Sequence, residues 1–151
     1  MPTRTLASAP HRFNLRPLCA ALALSLAATA QASPSGVVIS QLYGAGGNTG
    51  AVLNADYIEL FNAGSAPVSL AGWSVQYASA TGSSWSNKTN LPAFTLQPGQ
   101  YFLVQQASGS NGSALPAPDV VSSPAIAMAA ASGKVALVGS TTALTGTNPS
   151  G

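Results

Sequence analysis

The chain has 151 residues, the length of one ordinary domain, and only 5% of them are charged. The formal net charge of +2 comes from the first 16 residues, which hold Arg4, Arg12, Arg16 and the single histidine, His11; residues 33–151 keep Lys88 and Lys134 against Asp56, Glu59 and Asp119, a net of −1. This excludes a nucleic-acid binder, which needs several Lys or Arg contacts to phosphate. It also excludes a Ser–His–Asp triad, for lack of a histidine, and, since Cys19 is the only cysteine, a disulfide framework or a cysteine metal site.

The N-terminus reads as a secretory signal peptide. A basic, acid-free head (residues 1–17) precedes an apolar run, Leu18–Ala30, that ends in the small-x-small sequence Ala30-Gln31-Ala32. The run is shorter than the ~20 residues a bilayer crossing requires. Cleavage is expected between Ala32 and Ser33, giving a signal at 1–32 and a domain at 33–151, released to an extracellular or periplasmic space. Cys19 stands ahead of most of the apolar run rather than after it, so no lipid attachment is expected.

After Ala32, short runs of Val, Ile, Leu, Tyr and Phe alternate with Gly, Ser, Asn and Pro clusters, the pattern of an all-β domain. Val37–Tyr43 is the first expected strand, Gly44–Ala55 a flexible glycine loop, and Asp56–Asn62 the second strand. A short strand at Pro67–Leu70 precedes Trp73–Ser79, where Trp73, Val75 and Tyr77 share one face and Ser74 and Gln76 the other, as in a half-buried strand. Thr81–Asn90 reads as a polar loop around Trp85, and Leu91–Leu96 leads to Gln97-Pro98-Gly99, whose Pro-Gly pair suits a type II turn. Tyr101–Gln106 is a strand, Ala107–Asp119 a long loop, and Ala125–Gly139 a hairpin ending in Lys134–Gly139. Seven or eight strands fit an immunoglobulin-like sandwich. The tail from Ser140 has loop composition, so closing strands are expected to lie beyond Gly151.

The two acids of Asp56-Tyr57-Ile58-Glu59 invite a catalytic reading. Alternation along a strand sends positions three apart to opposite faces: Tyr57, Glu59 and Phe61 on one, Asp56, Ile58, Leu60 and Asn62 on the other. Two carboxylates acting on one bond must converge on it, and these diverge. Asp56 is expected to bond loop backbone, and Glu59 to be structural, tied to a neighbouring strand. Trp73 is expected to be a core anchor. Asn48, Asn54 and Asp56 offer oxygen ligands of the kind calcium takes, but without EF-hand spacing; no metal or cofactor is expected. Gly44-x-Gly46 is followed by Thr49 where a dinucleotide loop needs its third glycine, and no helix follows. A Ser–Lys dyad through Lys88 or Lys134, and a sugar platform of Tyr43, Tyr77 and Trp85, are the remaining chemical readings. Asn87-Lys88-Thr89 and Asn111-Gly112-Ser113 match the glycosylation sequon.

Tyr57-Ile58-Glu59-Leu60-Phe61-Asn62, Val68, Leu70, Gly72-Trp73 and Pro98-Gly99-Gln100-Tyr101, in this order and spacing, resemble the lamin tail domain family in its secreted bacterial form. The stretches around Val37–Gly50 and Gly133–Val138 look like the same group, so the resemblance spans about Val37 to Gly139. It implies an immunoglobulin-like sandwich without catalytic residues of its own, an accessory or interaction module. Its implied partner is a downstream domain of the same protein or another extracellular protein. In secreted bacterial proteins such modules often precede a nuclease or phosphatase of the endonuclease/exonuclease/phosphatase type. That gives the second functional reading, the N-terminal portion of such an enzyme. A calcium- or carbohydrate-binding module is the third.

Overall fold

A computed structural model describes residues 35–149; the expected signal peptide and its cleavage bond lie outside them. Strand-forming alternation is strongest at β2 (Ala55–Asn62) and β7 (Tyr101–Ser108), where buried and part-exposed residues alternate from Asp56 to Asn62 and from Phe102 to Ala107. These two strands pair antiparallel at the centre of a four-stranded sheet. Its order is β1 (Val37–Tyr43), β2, β7, β8 (Val120–Val121), with β8 parallel to β7. A three-stranded sheet, ordered β5 (Asn87–Asn90), β4 (Ser74–Ser79), β9 (Gly133–Val138), lies across the core from it. β3 (Val68–Ser69) and β6 (Thr95–Leu96) pair as a separate short ribbon. No helix forms among the described residues. The architecture is an immunoglobulin-like β-sandwich.

The core is built from the inward faces of both sheets. Ile58, Leu60, Phe102 and Val104 meet Val75 and Tyr77, and Leu70, Leu91, Leu96, Ile126 and Met128 close the ends. Each such side chain contributes roughly 1.5–3 kcal/mol by leaving water, which is how a chain without disulfides holds together. Phe94 and Phe102 meet at 4.8 Å with tilted rings.

Four sequence expectations change. The half-buried strand at 73–79 is instead buried on both faces over Ser74–Ala78. Ser74 and Gln76 do point away from Val75, but residues 140–146 cover them. Ser74 Oγ donates to Ser140 O, and Gln76 Nε2 donates to Ser74 Oγ and Thr142 O. Gln76 Oε1 accepts from Leu144 N. The tail, which forms no strand, is thus strapped along the sheet's outer face by side chains.

Second, Ala125–Gly139 is not a hairpin. β9 pairs with β4, far back in sequence, and residues 125–131 form no strand, with one backbone bond to β7, from Ala107 N to Ile126 O. Their donors are claimed by distant side chains: Ile126 N by Gln106, Met128 N by Asp56, Ala129 N by Tyr77. Third, the polar stretch 81–90 contains β5, which pairs with β4. Its polar sequence hides a strand because the inward residue, Thr89, has polar partners, Gln106 and Ser122.

Fourth, Trp73 precedes β4 and is only partly buried, packed on the rim of the core, where the expectation was a core anchor. Phe102, 1% exposed, occupies the centre instead. Phe102→Ala should therefore cost about 3–5 kcal/mol and Trp73→Ala only about 1–3 kcal/mol, because a rim side chain leaves a smaller cavity. Urea unfolding of both variants gives the order; a larger loss for Trp73→Ala contradicts this placement.

Candidate functional site

Asp56 enters β2 with its carboxylate turned inward, 3% exposed. Oδ1 accepts from Gly46 N and Oδ2 from Met128 N, both at 2.7 Å. A buried carboxylate needs such charge-assisted bonds to replace lost hydration. The side chain therefore clamps the glycine loop to the 125–131 crossing. Asn48 is exposed, and Asn54 engages the second loop through its backbone, donating to Ser113 O and accepting from Gly109 N. Among the described residues no group of three or more His, Cys, Asp or Glu side chains comes together.

The glycine loop is pinned rather than free. A Cβ on Gly46 would lie 1.9 Å from the Ala55 carbonyl carbon, and one on Gly47 2.2 Å from the Gly109 Cα. Only glycine lets these backbones approach so closely. Gly47 N donates to Leu53 O, Asn111 Nδ2 to Gly47 O, and Ser113 N to Val52 O. Loops 44–54 and 109–118 thereby pair at one end of the four-stranded sheet.

Glu59 points the other way, to the outer face. A bulge at Ser40 shifts the β1 register so that Gln41 and Tyr43 stand beside Glu59 and Tyr57. Three cross-strand rows result: Tyr43–Tyr57–Gln105, Gln41–Glu59–Leu103 and Val38–Phe61–Tyr101. Tyr43 and Tyr57 stack at 5.7 Å, and Phe61 and Tyr101 meet at 4.6 Å. Glu59 Oε1 accepts from Ser40 Oγ at 2.7 Å, tying β2 to β1. The Tyr57 hydroxyl donates to Gln41 Oε1. Tyr101 is 56% exposed. Above the middle row, Leu53, Leu115 and Pro116 from the paired loops wall a groove of about 280 Å³ over Tyr57, Glu59 and Leu103.

The sugar platform read from the sequence is not assembled. Trp85 and Tyr77 belong with the opposite sheet and are 4% and 7% exposed, whereas Tyr43 stacks on Tyr57. Trp85 Nε1 donates to Gly146 O, and Lys134 Nζ sits 5.6 Å over its ring. Both lysines are engaged with carbonyls: Lys88 with Thr141 O, Lys134 with Gly82 O and Thr147 O. The aromatic row on the outer face was open to detection, since Tyr57 and Phe61 flank Glu59 at period two. The loop residues that wall the groove carry no such signal.

The Asp56 clamp is directly testable. Asp56→Asn keeps the shape but offers one acceptor oxygen to two N–H donors, so an amide group must face a donor. It should cost about 2–4 kcal/mol, the scale of lost hydrogen bonds to a charged group, with no response of the wild-type melting temperature to calcium or chelator. A calcium-dependent rise that Asp56→Asn abolishes would replace the clamp with a metal site.

Comparison with known proteins places the fold. The family model described as Lamin Tail Domain matches residues 30–148. No curated protein and no solved structure is significantly similar to the chain. The match runs through both sheets and both paired loops, and the chain belongs to the lamin tail domain family.

Proposed function

We propose that residues 33–151 form a secreted accessory module that binds another protein or a further domain and has no catalysis of its own. The observation carrying this reading is the dispersal of its ionisable groups. Asp56 is sealed between two backbone amides. Asp119 accepts from Leu103 N at the β7 edge. Glu59 faces solvent beside aromatic rings. Each lysine donates to main-chain carbonyls and not to a serine. A nucleophile, its base and an oxyanion donor must lie within hydrogen-bond reach of one another, and these groups do not. Glu59 and Trp73 serve the fold in this reading: Glu59 ties β1 to β2, and Trp73 covers the core rim. The basic head and apolar run of residues 1–30 supply the export signal.

The exported form should begin at Ser33 on N-terminal sequencing, and it should show no turnover of DNA, phosphoesters or acyl esters above a buffer blank. Activity that survives repurification and disappears on substituting Lys88, Lys134 or a serine would contradict the reading, as would exported protein that retains Met1.

A further inference from the structure

The groove over the outer face has one charged group, and that group lacks a cationic counterpart. Glu59 Oε1 is held by the neutral Ser40 hydroxyl. The chain's only positive side chains after the signal, Lys88 and Lys134, sit on β5 and β9 of the opposite sheet, tied to carbonyls. Asp119 adds a second negative charge close by: its carboxylate accepts from the backbone of Leu103, the cross-strand neighbour of Glu59. Two of the domain's three acids therefore flank Leu103 on either side. Apart from Gln41, whose Oε1 is taken by the Tyr57 hydroxyl, the walls are apolar or aromatic, namely Leu53, Tyr57, Leu103, Leu115 and Pro116. They are fixed in place, since Ser113 N donates to Val52 O and Asn54 N to Ser113 O.

We propose that this groove receives an arginine side chain of a partner polypeptide. The proposal rests on the accessory-module reading and gives its partner a chemistry. A carboxylate at the base of an apolar slot suits a ligand with a positive end and a hydrocarbon stem. Arginine fits better than lysine because its planar guanidinium stacks on an aromatic ring and presents several donors to one carboxylate. A neutral sugar fits less well. It needs donors as well as acceptors from the site, and the Tyr57 hydroxyl already donates to Gln41. A groove preformed by paired loops loses little entropy on binding, and its negative field attracts a basic segment.

The test is an NMR titration of the exported, 15N-labelled protein. The probe is a short Gly/Ser peptide carrying one arginine, and the control is the same peptide with citrulline, which has the same shape and no charge. The arginine peptide should shift the amides of Gln41, Tyr57, Glu59 and Leu103. The citrulline peptide should bind at least fivefold more weakly. Glu59→Gln should weaken the arginine peptide about tenfold, the size of one lost hydrogen bond to a charged group. Ser40→Ala, which keeps the carboxylate, should weaken it less. Leu103→Lys, which places a positive charge on the groove wall, gives the same loss as Glu59→Gln by a different route, so a folding defect in one variant does not decide the matter. Equal binding of both peptides, shifts confined to the Trp85–Lys134 side, or a response of the groove to a neutral oligosaccharide instead would overturn the proposal. So would no response at millimolar peptide. Any of these with the hydrolase assays still blank removes the arginine site and leaves the accessory reading standing.

Discussion

A buried polar link joins the two sheets across the core, between Gln106 on β7 and Thr89 on β5. Gln106 Nε2 donates to Thr89 Oγ1 at 3.0 Å, its Oε1 accepts from Ile126 N, and Thr89 continues to Ser122. Gln106 is 1% exposed. An unpaired amide at that depth would cost about 1–3 kcal/mol for each orphaned group, so its partners must keep their places. The same constraint governs the rest of the chain. With two lysines and three acids after residue 32, ion pairs cannot organise the interior, and neutral amides do it. Asn62 spans Ala66 O, Leu96 O and Gly64 N; Gln76 straps the tail. No buried side-chain nitrogen or oxygen among the described residues is left without a partner.

This wiring separates scaffold from surface. Inward side chains of β2 and β7 carry the packing, and the buried amides and Asp56 hold the irregular segments against it. On the outer face of the four-stranded sheet the side chains make short-range ties, Ser40 to Glu59 and Tyr57 to Gln41, and the Tyr43 hydroxyl accepts from Val52 N of the adjoining loop. In the function proposed above, the two pinned loops would carry specificity and the sandwich stability, as loops on rigid scaffolds commonly do. Asp56 is buried and Glu59, three positions along the same strand, lies part-exposed on the opposite face.

How much of this the sequence disclosed follows the range of the interactions. The strands at 37–43, 56–62 and 101–106 were legible because period-two alternation is local, and so was the divergence of Asp56 from Glu59. The course of residues 122–132 was not, because its backbone donors go to Asp56, Tyr77 and Gln106, up to 72 positions away. The strap at 140–146 depends on Gln76 in the same way. Trp85 sits among serines and asparagines, so composition pointed to the surface, yet its indole bonds Gly146 and is buried. In the candidate site, the outward aromatics and Glu59 could be read from spacing. Leu53, Leu115 and Pro116 could not, since their places are set by pairing between two loops that only the fold brings together.

The claim that buried side chains, rather than strand pairing, order the irregular segments is tested most directly by native-state amide hydrogen exchange. Ile126, Met128 and Leu144 lie outside any strand, and their N–H groups are held by Gln106, Asp56 and Gln76. Amides that open only with the whole fold exchange last. These three should be protected to the level of Ile58 and Val104 in the central strands, far above exposed loop amides such as Thr49 and Ser110. Exchange of all three at the rate of those loop amides would contradict the account.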